Sequence, residues 1–579
     1  MKALLSGNEA IARGAYESSV HFAAAYPGTP STEILENIAR YKEIRSEWST
    51  NEKVALDIAV GASYAGARVL VAMKHVGLNV ASDPFMVTAF AGVTGGLVIV
   101  AADDPGMHSS QNEQDSRYFA RFGKVPMLEP SDSQEAKDFV GIALKLSEEF
   151  DIPVLLRTTT RVSHGKCVVE LGQRTEVPVA PYEKNARRHV VPIYGKLLRP
   201  GVEERMKRLE AFSETFPENR IEEGTGKIGV ITSGIAYQYA REVLPEASFL
   251  KLGLPFPLPR KKILDFVKRF EKVYVIEELE PFLEEQIRSW GVTNLTGKEV
   301  ITNIGELSPG IVEASVRGTP PVQDFSNEID ILPRPPVMCA GCPHLGVFHV
   351  LRKLKLAVTG DIGCYTLGTL PPFNAMHTTS CMGSSIGHAF GIEIAQGENL
   401  KGKVVGIIGD STFLHAGMPA LLDVVYNKGI TTVIIADNKT TGMTGHQEHP
   451  GTGRTITGET TTRVNYEKLC KALGVRFVRK ADPHNLKLFE ETLKEALAIE
   501  EPAVVISERA CAMLPTVRKR RHPIYTVDWE KCNACKLCYR FSCPCMDRRG
   551  EKPIIDPDTC VGCSLCAQVC NAEAIVLVE

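Results

Sequence analysis

Cysteine spacing at the end of the chain constrains its fold more than any other feature. Nine of the sixteen cysteines lie within the last 48 of 579 residues, in two groups. The chain starts without a signal-peptide core, and no window offers the ~18 continuous apolar residues of a membrane span. We therefore expect a cytoplasmic protein, in which regularly spaced cysteines bind metal rather than form disulfides.

The two groups resemble the Cys-x₂-Cys-x₂-Cys-x₃-Cys-Pro run that holds two iron–sulfur clusters in bacterial ferredoxins, where the fourth cysteine of each run ligates the other cluster. Four residues instead of three separate Cys538 from Cys543, so Cys545 is an alternative to Cys543. Two zinc knuckles are the other interpretation, although this spacing crowds a tetrahedral site. The resemblance implies one [4Fe–4S] cluster on Cys532, Cys535, Cys538 and Cys570, and a second on Cys543, Cys560, Cys563 and Cys566.

The rest of the chain alternates strand-like apolar runs with helical stretches, which predicts an α/β fold with parallel sheets. A net charge of −3 argues against a nucleic-acid binder. The basic run Arg518–Arg521 is expected to be a solvated linker, with a docking patch for an acidic partner as the alternative. We expect an α/β domain over 1–185, a bridging helix and smaller α/β domain over 186–320, a Pro-rich linker over Thr319–Pro336, a second large α/β domain over 337–515, and an α+β ferredoxin-type domain over 523–579.

Two strands of the second large domain end in oxygen-bearing side chains. The buried-strand pattern Val404–Ser411 contains the carboxylate Asp410 near its end, and the next predicted strand, Thr432–Asn438, ends in an amide. Both strand ends of a right-handed crossover emerge at one edge of the sheet, where α/β folds bind ligands. These two side chains and diphosphate oxygens would make an octahedral Mg²⁺ site.

This spacing resembles the thiamine diphosphate motif, a Gly-Asp-Gly followed by a distant Asn, with Ser411 in place of the second glycine. The resemblance implies that Gly409, Asp410 and Ser411 contact the cofactor, that Thr440 adds a backbone carbonyl to the metal ligands Asp410 and Asn438, and that Met443 supports the bent cofactor. The alternative is an ordinary Rossmann-like crossover with turn residues at these positions.

Thiamine also requires a carboxylic acid beside its aminopyrimidine ring, and in related enzymes a Glu-x-x-Ala at a helix start supplies it. Glu52-Lys53-Val54-Ala55 matches, in a first turn where the helix dipole favours a carboxylate. A surface helix with a first-turn glutamate is the alternative. The segment Tyr26–Thr32 resembles the Tyr-Pro-x-Thr-Pro-Ser motif of 2-oxoacid:ferredoxin oxidoreductases, which implies that Thr29 faces thiamine and substrate.

The segment Asp103–Asp115 is unusually polar for a turn between core elements. A solvated loop is one interpretation, and a wall of the active site is the other. On the second interpretation, His108 and Arg117 are the candidate substrate contacts.

A third set of cysteines precedes the Asp410 strand. Cys339 and Cys342 form a Cys-x₂-Cys, Cys364 follows, and Cys511 lies just past the strand Ala503–Ser507. The resemblance to 2-oxoacid:ferredoxin oxidoreductases implies that these four hold a proximal cluster beside thiamine, while zinc or unligated thiols are the alternatives. Cys381, in an apolar glycine-rich segment, is expected to be a core thiol.

These motifs together are similar over essentially the whole chain to 2-oxoacid:ferredoxin oxidoreductases, and most to the large subunits of the indolepyruvate-oxidising members. The resemblance implies two large doubly wound domains, a smaller transketolase C-terminal-like domain and the ferredoxin-type tail. It implies decarboxylation of aryl 2-oxoacids with CoA to aryl-acetyl-CoA and CO₂, a smaller β subunit in an α₂β₂ heterotetramer, and ferredoxin as electron acceptor. A different 2-oxoacid, a non-redox thiamine decarboxylase with structural clusters, and a non-catalytic electron-transfer module are the alternatives.

Overall fold

The fold is described from a computed structural model, which covers residues 1–188, 190–318, 336–518 and 523–578. The chain divides into two compact units, Met1–Ile331 and Leu332–Glu579. The Pro-rich linker predicted at Thr319–Pro336 lies outside the described residues except for its last residue, and so do the last three residues of the basic run. The domain bounds predicted from the sequence stay a prediction.

The first unit begins with a six-stranded parallel sheet whose strands are buried, except for the partly exposed edge strand Arg45–Trp48. The order of the strands changes direction at Phe22–Ala25, because the next two strands of the sequence lie on opposite sides of it. Such a reversal creates a crevice at the carboxyl ends of the strands. The order across the sheet is Arg45–Trp48, Phe22–Ala25, Val69–Lys74, Leu97–Asp103, Val154–Thr159 and Met127–Leu128.

Helices connect these strands, and side-chain caps fix where several of them begin. Asn51 accepts from the backbone of Val54, and Asp132 accepts from that of Glu135. A separate two-stranded antiparallel ladder joins Lys2–Ser6 to Lys166–Glu170. The helices are Gly7–Glu17, Thr32–Ile38, Glu52–Tyr64, His75–Val80, Ser82–Ala91, Arg117–Gly123, Ser133–Phe150 and Thr160–His164.

A smaller five-stranded sheet follows in the same unit, after the predicted bridging helix, which spans Pro192–Thr215. Four strands are parallel and the edge strand Asn219–Glu222 is antiparallel. The order is Leu295–Thr296, Lys272–Ile276, Ile228–Ser233, Ser248–Leu252 and Asn219–Glu222. Its other helices are Gly234–Val243, Arg260–Val267, Phe282–Arg288 and Pro309–Arg317, and a 3₁₀ turn at Ala186–Arg188 precedes the bridging helix.

The second unit is built on a five-stranded parallel sheet with a core on each face. Ile407 and Ile434 belong to one core cluster, whereas their neighbours Ile408 and Ile435 belong to the other. Burial on both faces explains why its strands are continuously apolar. The order is Ala357–Thr359, Val404–Gly409, Thr432–Asp437, Ala503–Glu508 and Phe477–Ala481. The helical segments are His344–Leu354, Cys364–Thr369, Ser384–Gln396, Gly397–Asn399, Asp410–Thr412, Phe413–Gly417, Met418–Tyr426, Tyr466–Ala472, Leu486–Leu497 and Pro515–Arg518.

The cysteine-rich tail has two short antiparallel ladders, Tyr525–Val527 with Ile575–Leu577 and Met546–Asp547 with Ile554–Ile555. Its helical turns are Leu537–Phe541 and Leu565–Gln568. Phe541 and Leu565 are buried in a core cluster of the large sheet, so the tail packs onto that domain. The α/β prediction for the body of the chain is confirmed. None of the helices in the described ranges is long and apolar enough to cross a membrane.

Candidate functional site

Asp410 and Asn438 lie at one edge of the large sheet in the second unit. Their strands are parallel neighbours, with Gly409 opposite Ala436. The backbone N–H of Lys439 donates to Asp410 Oδ2 (2.9 Å), and that of Thr440 donates to Asn438 Oδ1 (3.1 Å). The predicted proximity of the two side chains is therefore confirmed.

The Asp410 carboxylate is held in its charged form. Burial opposes ionisation, but His449, whose Nε2 lies 3.3 Å from Asp410 Oδ2, lowers the pKa of Asp410 overall. Burial and the Asp410 charge raise the pKa of the adjacent Asp437 to about 6, and the Lys439 ammonium contacts that carboxylate. A buried, ionised carboxylate beside an amide oxygen is the oxygen donor set that Mg²⁺ prefers. These residues fit a divalent cation.

The neighbouring residues of the predicted cofactor motif differ in burial. Ser411 and Thr440 are buried, and the backbone of Ser411 donates to Asp410 Oδ1 (2.9 Å). Gly409 ends its strand so close to Tyr365 that a Cβ there would lie 2.8 Å from the ring. Met443 is about half exposed. The roles of all these residues toward the cofactor stay predictions.

The four predicted proximal cysteines come together beside this edge. Burial raises the pKa of the Cys364 thiol to about 11, and the nearby Cys511 and Cys339 act in the same direction. Burial also raises the pKa of the Cys342 thiol, and the nearby Cys364, Cys511 and Cys339 raise it further. The backbone N–H of Cys511 donates to the carbonyl of Asn438 (2.9 Å). The cysteine group therefore adjoins the Asp410–Asn438 edge directly.

Cys381 is exposed and precedes the helix Ser384–Gln396, so its prediction as a core thiol is wrong. Apolar and glycine-rich neighbours suggested burial. The chain instead places Cys381 in the loop before the helix, whose core face begins at Ser385 and Ile386.

The tail cysteines surround two cavities. One is lined by Cys532, Cys535, Cys538 and Cys570, and the other by Cys543, Cys545, Cys560, Cys563 and Cys566. These are the two crossed sets expected for a two-cluster ferredoxin. Within the described part of the chain, no three His, Cys, Asp or Glu side chains converge tightly enough to hold a single metal ion. The assignment of these two sets to iron–sulfur clusters stays a prediction.

Cys543 and Cys545 line the same cavity, but they differ in their hydrogen bonds. Cys545 is buried, and its thiol donates to the carbonyl of Thr559 (2.9 Å). The hydrogen bond between the two sulfurs lowers the pKa of Cys545 to about 6 and raises that of Cys543, so the two thiols titrate as a pair. The choice of Cys543 as the ligand, with Cys545 as the alternative, stays a prediction.

Glu52 opens the helix Glu52–Tyr64 in the first unit and is only 4% exposed. Gly77 leaves room for it, because a Cβ on Gly77 would lie 2.7 Å from Glu52 Cγ and 2.8 Å from Oε1. The carboxyl group is therefore buried and closely fitted, as the predicted role requires. That role itself stays a prediction.

Thr29 lies in the turn after the strand Phe22–Ala25, and other parts of the unit hold this turn. Asn8 Nδ2 donates to the carbonyl of Pro30 (2.7 Å), and Ser109 Oγ donates to that of Thr29 (3.2 Å). Ser31 does not cap the next helix, since its hydroxyl donates back to Gly28 (2.7 Å). The Ser31 hydroxyl therefore stabilises the turn itself and not the start of the helix.

Sequence comparisons give the family. A family described as "Pyruvate flavodoxin/ferredoxin oxidoreductase, thiamine diP-bdg" matches residues 13–218, and one described as "Thiamine pyrophosphate enzyme, C-terminal TPP binding domain" matches 361–507. The chain is 41% identical to "Indolepyruvate oxidoreductase subunit IorA" of Archaeoglobus fulgidus, over 99% of this chain and 97% of that protein. The protein of the same name from Pyrococcus horikoshii is also 41% identical, over 98% and 96%. The chain belongs to the indolepyruvate oxidoreductase subunit IorA family.

Among solved structures, a chain of 2-oxoglutarate:ferredoxin oxidoreductase from Magnetococcus marinus is 17% identical, with a TM-score of 0.46, covering 55% of this chain and 65% of that chain. The family assignment rests on the sequence matches. As an IorA family member, the chain is a thiamine diphosphate-binding oxidoreductase of the 2-oxoacid:ferredoxin class.

The two candidate substrate contacts of this IorA family member have different surroundings. The His108 side chain is 49% exposed, and its Nε2 lies 3.2 Å from Glu306 Oε2. Arg117 is 1% exposed, and its guanidinium donates to Asp115 and to Glu277 Oε2 (2.6 Å). Carbonyls of Glu278 and Glu280 accept its remaining bonds. This corrects the interpretation of Arg117, because its donors are used inside the protein and give it a structural role.

Three buried residues near the predicted sites escaped the sequence interpretation: Lys74, His75 and His449. Lys74 ends the strand Val69–Lys74 at the ligand-binding edge of its sheet, so its position was a signal that could have been used. Burial lowers the pKa of the adjacent His75, which keeps that ring neutral near pH 7. No spacing pattern pointed to His449, which lies 39 residues beyond Asp410 in the sequence.

Proposed function

We propose that this chain is the catalytic subunit of an enzyme that oxidatively decarboxylates aryl 2-oxoacids of the indolepyruvate and phenylpyruvate type. The 2-oxoacid and CoA give aryl-acetyl-CoA and CO₂, and two electrons and a proton are released. The names of its 41% identical relatives support the aryl substrate, and its two thiamine-binding matches support the chemistry.

One observation carries the redox part of the proposal. The backbone N–H of Cys511 donates to the carbonyl of Asn438 at 2.9 Å, so a predicted cluster ligand adjoins a predicted metal ligand. A Cβ on Gly442 would likewise lie 3.3 Å from Cys364 Sγ and 3.7 Å from Asn438 Nδ2. Electrons that leave the substrate one at a time need an acceptor beside the site of decarboxylation. A non-redox decarboxylase would have no use for that adjacency.

We assign the following roles to the residues that would bind Mg²⁺, thiamine diphosphate and substrate. Asp410, Asn438 and the carbonyl of Thr440 would hold Mg²⁺, with Gly409, Ser411 and Met443 around the cofactor. Bound thiamine diphosphate supplies the carbon nucleophile that makes decarboxylation possible. Glu52 would exchange a proton between its carboxyl oxygen and the aminopyrimidine ring, and its burial keeps water from competing for that proton. Thr29 would face the substrate.

Electrons would pass from the proximal set, Cys339, Cys342, Cys364 and Cys511, into the tail. A contact inside the second unit supports this order. A Cβ on Gly341 would lie 2.4 Å from Val561 Cγ2, so the Cys339–Cys342 loop packs on the loop that carries Cys560 and Cys563. Ala340 and Gly341 also line the cavity of that cysteine set. Electrons would then leave for ferredoxin from the other tail set, which consists of Cys532, Cys535, Cys538 and Cys570.

The names of the relatives describe one subunit of an oxidoreductase, which supports a smaller β subunit for this chain as well. We propose an α₂β₂ heterotetramer in the cytoplasm, with ferredoxin as the electron acceptor and CoA as the cosubstrate.

The test is a substrate panel. The chain is purified anaerobically with its β subunit, and methyl viologen reduction is followed with indolepyruvate, phenylpyruvate, pyruvate or 2-oxoglutarate, each with and without CoA. We expect CoA-dependent reduction with the two aryl substrates and less than a tenth of that rate with the others. Faster viologen reduction with pyruvate or 2-oxoglutarate would contradict the proposed substrate class. Release of CO₂ without viologen reduction would contradict the proposed oxidative reaction.

A further inference from the structure

Lys74 is a buried cation at the crevice of the six-stranded sheet. Lys74 is the last residue of the strand Val69–Lys74. That strand lies beside Phe22–Ala25, where the order of the strands across the sheet changes direction. Ligands of open α/β sheets bind at such a point, outside the carboxyl ends of the strands. The lysine stem lies against the turn that holds Thr29, since a Cβ on Gly28 would be 3.2 Å from Lys74 Cγ.

The Lys74 ammonium has donor capacity that its hydrogen bond to Ser109 does not use. Its Nζ donates to the carbonyl of Ser109 (3.1 Å), and no ion pair among the described residues includes it. The nearby carboxylate of Asp104 is already used by other donors. It accepts from the hydroxyls of Ser110 (2.7 Å) and Thr160 (2.6 Å) and from the backbone of Ser109 (2.8 Å).

A buried ammonium without a close counter-ion is costly. Lys74 is only 8% exposed, and an uncompensated buried charge destabilises the folded protein. Burial lowers the pKa of Lys74 to about 8, and the negative charges of Asp104 and Glu52 offset only part of that effect. An anionic ligand group at Nζ would supply the missing counter-charge.

We propose that Lys74 binds the carboxylate of the 2-oxoacid substrate, in the crevice beside Thr29 and Glu52. The inference rests on the proposed function, because it takes the substrate to be a 2-oxoacid. The carboxylate leaves as neutral CO₂, so the ion pair exists in the substrate complex and not with the product. Lys74 is therefore a binding and specificity residue, and its loss should raise KM more than it lowers kcat.

The experiment compares Lys74→Met and Lys74→Arg with Lys53→Met, a control that removes an exposed lysine near Glu52. KM and kcat for phenylpyruvate are measured in the complete enzyme, together with inhibition constants for anionic 3-phenylpropionate and neutral phenylacetone. We expect Lys74→Met to raise KM and the 3-phenylpropionate constant by about 10- to 100-fold, the range for a hydrogen bond to a charged group. The phenylacetone constant should change less than twofold, and Lys74→Arg should recover part of the loss.

A structural role would weaken both inhibitors equally, and that outcome would overturn the inference. So would an unchanged KM in Lys74→Met while wild type turns over phenylpyruvate, which leaves the proposed function intact. If wild type turns over no arylpyruvate, the proposed function fails first and the inference falls with it.

The wild-type pH profile gives a test that needs no variant. The charged groups facing Lys74 are Asp104 and Glu52, and His75 follows it in the chain. Because the ammonium must be charged to bind the carboxylate, kcat/KM for phenylpyruvate should fall as the pH rises through about 8. A profile flat to pH 9.5 would contradict the inference.

Discussion

Gly77→Ala tests whether the position of Glu52 matters for catalysis. Gly77 lies in the helix His75–Val80, and an added Cβ would meet Glu52 Cγ at 2.7 Å and Oε1 at 2.8 Å. Ordinary contact starts at 3.4 Å, so the Glu52 side chain must move by about 0.7 Å. A displacement of about 1 Å can cost ~100-fold in rate when a group must meet a reacting atom.

We therefore expect Gly77→Ala to lower kcat for phenylpyruvate by about 10- to 100-fold. The fold should survive, because alanine is favoured over glycine in a helix by about 1 kcal/mol, which offsets part of the crowding. Thiamine and iron content should match wild type. The assay is viologen reduction with saturating CoA, together with a thermal melt and cofactor analysis of the same preparation.

The control is Gly201→Ala, another glycine inside a helix of the same unit. The structure has nothing within 4 Å of a Cβ at Gly201, so this variant should keep wild-type turnover. If Gly77→Ala retained turnover within twofold of Gly201→Ala, the fitted position of Glu52 would be irrelevant to the reaction, and its assignment as the activating acid would be refuted.

Three further predictions concern the proposed metal ligand Asp410, the cysteine-rich tail and the stability of the fold. Asp410→Ala should lower bound thiamine to less than a tenth of wild type, measured after gel filtration, because it removes the buried carboxylate that would hold the cation; Asp265→Ala, an exposed aspartate, should change nothing. Cys543→Ser should reduce iron from about twelve to about eight atoms per chain, whereas Cys545→Ser should keep about twelve, and the reverse pattern would exchange the two ligands. Burial raises the pKa of Glu278 from 4.5 to about 7, so the folded state loses roughly 3 kcal/mol as the pH rises through that interval. Glu278→Gln should accordingly raise the melting temperature at pH 8 but not at pH 4.5, and equal shifts at both pH values would contradict the argument.

For a physical reason, the sequence predicted two features of the second unit well: the strands of its large sheet, and the proximity of Asp410 and Asn438 at one edge of that sheet. Strands buried on both faces are continuous apolar runs, so both strands start where the sequence predicts, at Val404 and Thr432. They end slightly earlier than the predicted Ser411 and Asn438, at Gly409 and Asp437. Parallel pairing then brings Asp410 and Asn438 together without further information.

The remaining features depend on contacts between distant parts of the chain. Arg117 meets Glu277, 160 residues away, so a polar loop residue became part of a buried ion network. The environment of Lys74 depends on where Ser109 and Gly28 lie around it. Local spacing does not encode such contacts. The sequence could therefore place Lys74 at a strand end but could not show its burial, and it misjudged Arg117.

The number of electrons released per CO₂ tests the central claim most directly. The anaerobic enzyme with its β subunit is given phenylpyruvate labelled at the carboxyl carbon, CoA and excess methyl viologen, and labelled CO₂ and reduced viologen are counted in the same reaction. The proposed oxidative decarboxylation predicts two viologens reduced for each CO₂, with phenylacetyl-CoA formed in equal amount to CO₂. Release of labelled CO₂ with no reduced viologen and no thioester would contradict it.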